Sequence, residues 1–226
     1  MELENSFTTI MTAIVPSTAD GVRIDFEDSQ FGWHTANTSL SLKDSNETGH
    51  VIEPLKAIGH VWGPDTLKRG RTYVLVGPFG QDLMTGENVI KYHSATKTEV
   101  GTHGADLDDL AGKALVNGLG LLLNVSYAED PEIEGGWNLT VNAKHEWYDS
   151  VGEIMLEFAI TYVFGHITPH RSKWGPIQAG ATMWLNGTVF KKDPVSNRFI
   201  VKYLHVSTCY LQWIGDSGNV DRQPRG

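Results

Sequence analysis

Two histidines of this chain fall where a strand face is otherwise apolar. Read at every second residue, Leu139, Val141, Ala143, His145 and Trp147 form one set, and Phe199, Val201, Tyr203, His205, Ser207, Cys209, Leu211 and Trp213 form another. An imidazole in such partly dry surroundings titrates near neutrality, where it can give or take a proton. A third set, Ile154, Leu156, Phe158, Ile160, Tyr162 and Phe164, adds a phenol. The hydroxyls of Tyr162 and Tyr203 could each donate to an oxygen that gains charge. Asp106 is the candidate carboxylate, whose carboxyl, if desolvated, could act as an acid near neutral pH. The candidate acid-base groups are therefore His145, His205 and Asp106. Tyr162, Tyr203, Trp147, Trp184 and Trp62 are the candidate contacts of a bound molecule. Each has a plainer role beside it: a hydrogen-bonded core histidine, an N-cap, an aromatic that fills a core. Glu146 and Glu157 fall on the opposite faces and are read as solvated.

A period of two requires strands with one face turned inward. Such strands are expected at about 119–127, 138–148, 153–165, 179–190 and 198–213. Asp193, Pro194 and Asn197 mark the turn between the last two. Earlier, Val22 to Phe26, Thr72 to Val76 and Asn88 to Thr98 read as strands. Residues 29–70, rich in Gly, Ser, Asn and Asp, are expected to hold only short ones. Leu107, Leu110, Ala111, Ala114 and Leu115 recur at helical spacing after acidic residues, which predicts one helix over 106–116, ended by Gly118 and Gly120. Residues 1–20 read as a loose or short-helical lead. Length suits a single domain over 1–226. Long apolar strands without exposed edges suggest an all-β fold, a closed antiparallel barrel with one short helix.

The run from Ala181 to Phe190, containing Trp184, Leu185 and Asn186, precedes a turn and then Ile200, Val201, Lys202 and Tyr203. It resembles the closing hairpin of an uncharacterised family of small β-barrels that ends in a Trp-Leu-Asn strand and a Val-x-Tyr strand. Ser150, Gly152, Ile154 and Gly165 are similar to that family's preceding hairpin. Gly104, Ala105 and Asp106 resemble its Gly-Gly-Ala-Asp-Trp turn, with Leu107 in place of the Trp and His103 in place of the first Gly. The resemblance covers about half the chain and implies a calycin-like or allene-oxide-cyclase-like barrel with an open end, not an activity.

Composition narrows the chemistry. A net charge of -9 disfavours phosphate backbones and anionic membrane surfaces as partners. The single cysteine, Cys209, cannot form an internal disulfide and reads as core filler. His166 and His170 flank Pro169 and so cannot share a helix face, and no Cys pair or H-E-x-x-H occurs, so no metal is expected. Nucleotide, P-loop and hydrolase-elbow motifs are missing as well, leaving cofactor-free chemistry. The first residues lack a basic start and an apolar run, which makes cytoplasmic the default. Five Asn-x-Ser/Thr triplets, at Asn37, Asn46, Asn124, Asn138 and Asn186, keep secretion as the minority reading. A partner is expected to be a small apolar ligand or substrate, with room for a homodimer. The leading expectation is a cofactor-independent isomerase, cyclase or dehydratase of secondary metabolism that moves protons with His and Asp inside a barrel. The alternatives are a lipocalin-like carrier, or a secreted interaction protein.

Overall fold

A computed structural model describes residues 7–25, 29–82, 85–102, 106–129, 134, 136–149, 153–167 (backbone only at 165–167) and 177–203. The described part is mostly strand: β1 Thr9–Pro16, β2 Val22–Arg23, β3 Phe31–Lys43, β4 His50–Trp62, β5 Thr72–Gln81, β6 Asn88–Tyr92, β7 Lys97–Gly101, β8 Leu115–Glu129, β9 Trp137–Asp149, β10 Ile154–Ile167, β11 Thr182–Lys192 and β12 Phe199–Lys202. The sheet order is β11-β12-β10-β9-β8-β1-β5-β6-β4-β3-β2, with β7 beside β5. In addition, β8 pairs with β11 over Leu115–Leu121 and with β9 over Leu121–Glu129. The neighbours β8, β9, β10, β12 and β11 therefore return on themselves.

Most neighbours are antiparallel, as expected, but β4–β6 and β10–β12 are parallel. The second departure has a simple cause. β11 lies antiparallel to β8 rather than beside β10, so β12, turning back along β11, runs in the same direction as β10. In the first half, β6 pairs antiparallel with β5 and comes to lie between it and β4.

The late strands follow their periodicity. Leu139, Val141, Ala143, His145 and Trp147 are all buried, as are Phe158, Ile160, Tyr162, Phe199 and Val201. They belong to one continuous cluster of buried residues reaching back to Met11, Ala13 and Val15 on β1. β1 corrects the expected loose lead: its apolar alternation inserts it between β5 and β8.

Two other expectations are corrected. The helix is one turn, Leu107–Leu110, because Gly112 adopts a φ of 72° and the alternation of Ala114, Val116, Gly118, Gly120 and Leu122 then takes over as β8. The glycines expected to stop a helix serve a strand instead. A Cβ at Gly118 would meet the Thr8 carbonyl at 2.5 Å, and one at Gly120 would lie 2.8 Å from the His145 ring. β3 and β4, expected to be short, have 13 residues each. Two buried hydroxyls of β3 find distant backbone partners: Thr38 donates to the Leu55 carbonyl at 2.7 Å and Ser41 to that of Leu107 at 2.5 Å. The strand expected over 88–98 is interrupted by a turn at Ser94–Thr96.

Candidate functional site

His145 is fully buried on β9, between β8 and β10. Its Nδ1 lies 2.9 Å from the Leu119 carbonyl, which can only accept, so Nδ1 carries the proton. Nε2 is then a lone pair, and the Tyr162 hydroxyl donates to it across 3.0 Å. Tyr162 is itself fully buried. Burial pushes the His145 pKa down to about 4, outweighing the backbone hydrogen bonds that favour the charged ring. Burial likewise pushes the Tyr162 phenol up. The result is a neutral pair with its hydrogen bonds made. Gly120 creates the space for the ring, since a side chain there would press on it and on Leu185.

The remaining sequence-derived residues are dispersed. Asp106 is exposed and caps the single helical turn, with Oδ1 accepting from the Asp108 amide at 2.9 Å. Ser41 on β3 anchors that turn, whereas β8 and β10 hold His145. Tyr203 is partly buried and stacks on Phe164 with ring centres 4.8 Å apart. Trp62 and Trp184 are 52% and 54% exposed, so neither walls an interior. His205, with Cys209, lies outside the described residues. Among the described residues, no three of His, Cys, Asp or Glu converge in a group able to hold a metal ion. No helix among them is long and apolar enough to cross a membrane.

Trp147 lies elsewhere, at the far end of the His145 face. It helps line a cleft of about 280 Å³, close to the lower end of ordinary ligand pockets (~300–1,000 Å³). The apolar part comes from Ile24, Ile58, Val89, Leu156 and Trp147, and the polar part from Thr35, Lys56, Asp82, Glu87 and Asp149. Strand register explains the assembly. Thr35 pairs with Ile58 across β3–β4, and Lys56 with Val89 across β4–β6, which makes a floor. The β9–β10 hairpin contributes Trp147, Asp149 and Leu156, and the β5–β6 connection contributes Asp82 and Glu87. Gly80 on β5 lets the indole lie directly on the backbone. Lys91 on β6 places its ammonium 4.8 Å from the centre of the indole ring.

The indole Nε1 of Trp147 and the hydroxyl of Thr35 are buried with no hydrogen-bond partner. An unpartnered buried donor costs about 1–3 kcal/mol, which a ligand atom can recover. Lys56 pairs with Glu87 at 3.0 Å, and Asp82 accepts from the Thr85 hydroxyl at 2.8 Å, so the rim is held in place.

Apart from Trp147, the sequence reading missed every residue of this cleft. The signal was present in the alternation Phe31, Trp33, Thr35 and Ile58, His60, Trp62, which the polar composition of residues 29–70 obscured. Compared with known proteins, the chain matches no protein-family model and no curated sequence.

Proposed function

We propose that the protein binds a small, largely apolar, oxygen-bearing molecule in the cleft beside Trp147. The observation that carries this reading is that two residues lining one concave, mostly apolar cleft, Trp147 and Thr35, each hold a buried polar atom with no hydrogen-bond partner, the indole N–H and the hydroxyl. An indole N–H can only donate, so its complement is an ether, carbonyl or hydroxyl oxygen of the ligand. The pairing circuit of β8, β9, β10, β12 and β11 supports the reading of a calycin-like barrel.

Carriage is favoured over proton-transfer catalysis by His145 and Asp106. His145 has both ring nitrogens engaged in the core, and Asp106 is an exposed cap. An isomerase, cyclase or dehydratase reading draws instead on the cleft's own carboxylates, Asp82, Glu87 and Asp149, which could relay a proton to a molecule held at Trp147. Organic extracts of the purified protein, analysed by mass spectrometry, test the binding reading. The wild type should release a stoichiometric small molecule, and Trp147→Phe and Thr35→Val should carry less of it at unchanged fold. Equal retention by both variants would overturn the assignment.

A further inference from the structure

The cleft encloses only the head of an ordinary ligand. Its volume of about 280 Å³ lies at the small end for ligand pockets, so a drug-sized molecule whose oxygen reaches the Trp147 indole N–H extends beyond it. Along β3 and β4 the sheet face is apolar in one direction only. Thr35 and Ile58 on the floor are direct cross-strand partners. Toward one end the next pair on their face is Asn37 with Lys56, and toward the other it is Trp33 with His60, followed by Phe31 with Trp62. The two aromatic steps lengthen the surface by about 13 Å at the usual strand rise.

The rings form a connected row. His60 lies 4.8 Å from Trp33 and 4.3 Å from Phe31, and Phe31 lies 6.4 Å from Trp62, centre to centre. The outer end is open, with Phe31 37% and Trp62 52% exposed, and large aromatics left in water side by side mark a binding surface.

The charges at the inner end are already balanced. Lys56 pairs with Glu87 at 3.0 Å, Asp82 accepts from the Thr85 hydroxyl at 2.8 Å, and the Asp149 carboxylate acts on the Lys91 ammonium, which lies over the indole. A charged ligand group would have to displace one of these partners, whereas a neutral oxygen acceptor adds the hydrogen bond that the indole lacks.

We propose that the cleft and the aromatic row form one elongated site for a neutral ligand with an oxygen acceptor at one end and a planar, multi-ring apolar body. The oxygen takes the N–H of Trp147, and the body lies along Trp33, His60, Phe31 and Trp62. This rests on the binding reading of the cleft and specifies the ligand's charge and shape.

Probes that vary the body and the head separately test it by calorimetry. 4-(Biphenyl-4-yl)butan-1-ol should bind about tenfold more tightly than 4-phenylbutanol, because its second ring reaches the outer end of the row. Trp62→Ala and Phe31→Ala, both at exposed positions, should each remove most of that gain and leave 4-phenylbutanol within a factor of about two of its wild-type affinity. 4-Phenylbutylamine and 4-phenylbutyrate, both charged at neutral pH, should each bind more weakly than 4-phenylbutanol. A second-ring gain that survives both substitutions, or tighter binding of either charged probe, would overturn the proposal, and the cleft reading would stand if Trp147→Phe still weakened 4-phenylbutanol. Binding of none of the probes would overturn both. Self-association of the wild type, lost in Trp62→Ala and accompanied by no second-ring gain, would assign the row to a second copy of the chain and overturn the proposal; sedimentation velocity reads this outcome. Unchanged melting temperatures show that the variants are folded.

Discussion

At the scale of the residue, the structure separates two groups that share one strand face. His145 and Trp147 are two positions apart on β9, yet one has its polar atoms paired and the other does not. The paired group contributes to stability, and the unpaired one carries the proposed recognition. Because the folded-state pKa of His145 is about 4 against an ordinary value of 6.5, the unfolded chain binds a proton that the folded core excludes. Stability from this group is complete above about pH 6.5 and is lost as the pH falls toward 4, by about 3 kcal/mol in total. Urea midpoints between pH 7 and pH 4 should show this loss. His145→Phe should flatten that part of the profile while lowering stability at pH 7 by about 1–3 kcal/mol, because the Tyr162 hydroxyl loses its acceptor. A variant with an unaltered pH profile would show that the proton is excluded elsewhere. Asp106→Asn, which keeps a good cap, should change the melting temperature very little, while Asp106→Ala should cost up to about 1 kcal/mol and leave ligand retention intact.

At the scale of the element, glycines set how closely strands approach. A Cβ at Gly77 on β5 would collide with the Lys91 carbonyl on β6, and backbone has no flexible end to move away. One at Gly120 would meet the His145 ring, Ala143 and Leu185, which are side chains with some freedom. Gly77→Ala should therefore destabilise more than Gly120→Ala, with the latter at about 1–3 kcal/mol by overpacking. Denaturant midpoints of the two variants check the order, and the reverse order would contradict the packing described. This scale also shows how far the sequence was legible. Apolar alternation in 138–148 and 153–165 is strong because one face is buried almost throughout, so β9 and β10 were readable. β3 was not: its buried positions include Thr38, Ser39 and Ser41, and the hydroxyls of Thr38 and Ser41 are satisfied by distant backbone that no local pattern reveals. The helical spacing at 107–115 was genuine but lost to Gly112 and to pairing with β1 and β11. Of the candidate site, Trp147 was legible from its face, whereas Asp82, Glu87 and Thr35 meet it only through tertiary packing.

At the scale of the molecule, the buried residues form one cluster that runs from β1 to β12. Unfolding followed by far-ultraviolet circular dichroism and by tryptophan fluorescence should therefore give one coincident transition. Two separated transitions would show that the early and late strands are independent. The same packing brings the β9–β10 hairpin over β4, β6 and the β5–β6 connection, and the cleft exists only where these meet. The most direct measurement of its role is the indole N–H resonance of Trp147 in a proton–nitrogen correlation spectrum, assigned by its disappearance in Trp147→Phe and followed during titration with 4-phenylbutanol. The expected result is a saturable shift of the Trp147 signal as its N–H gains a partner or a new environment, while the signal of Trp184, outside the cleft on β11, stays in place. A Trp147 signal that does not move with the probe, or that moves only in step with Trp184, would contradict the cleft as a ligand site.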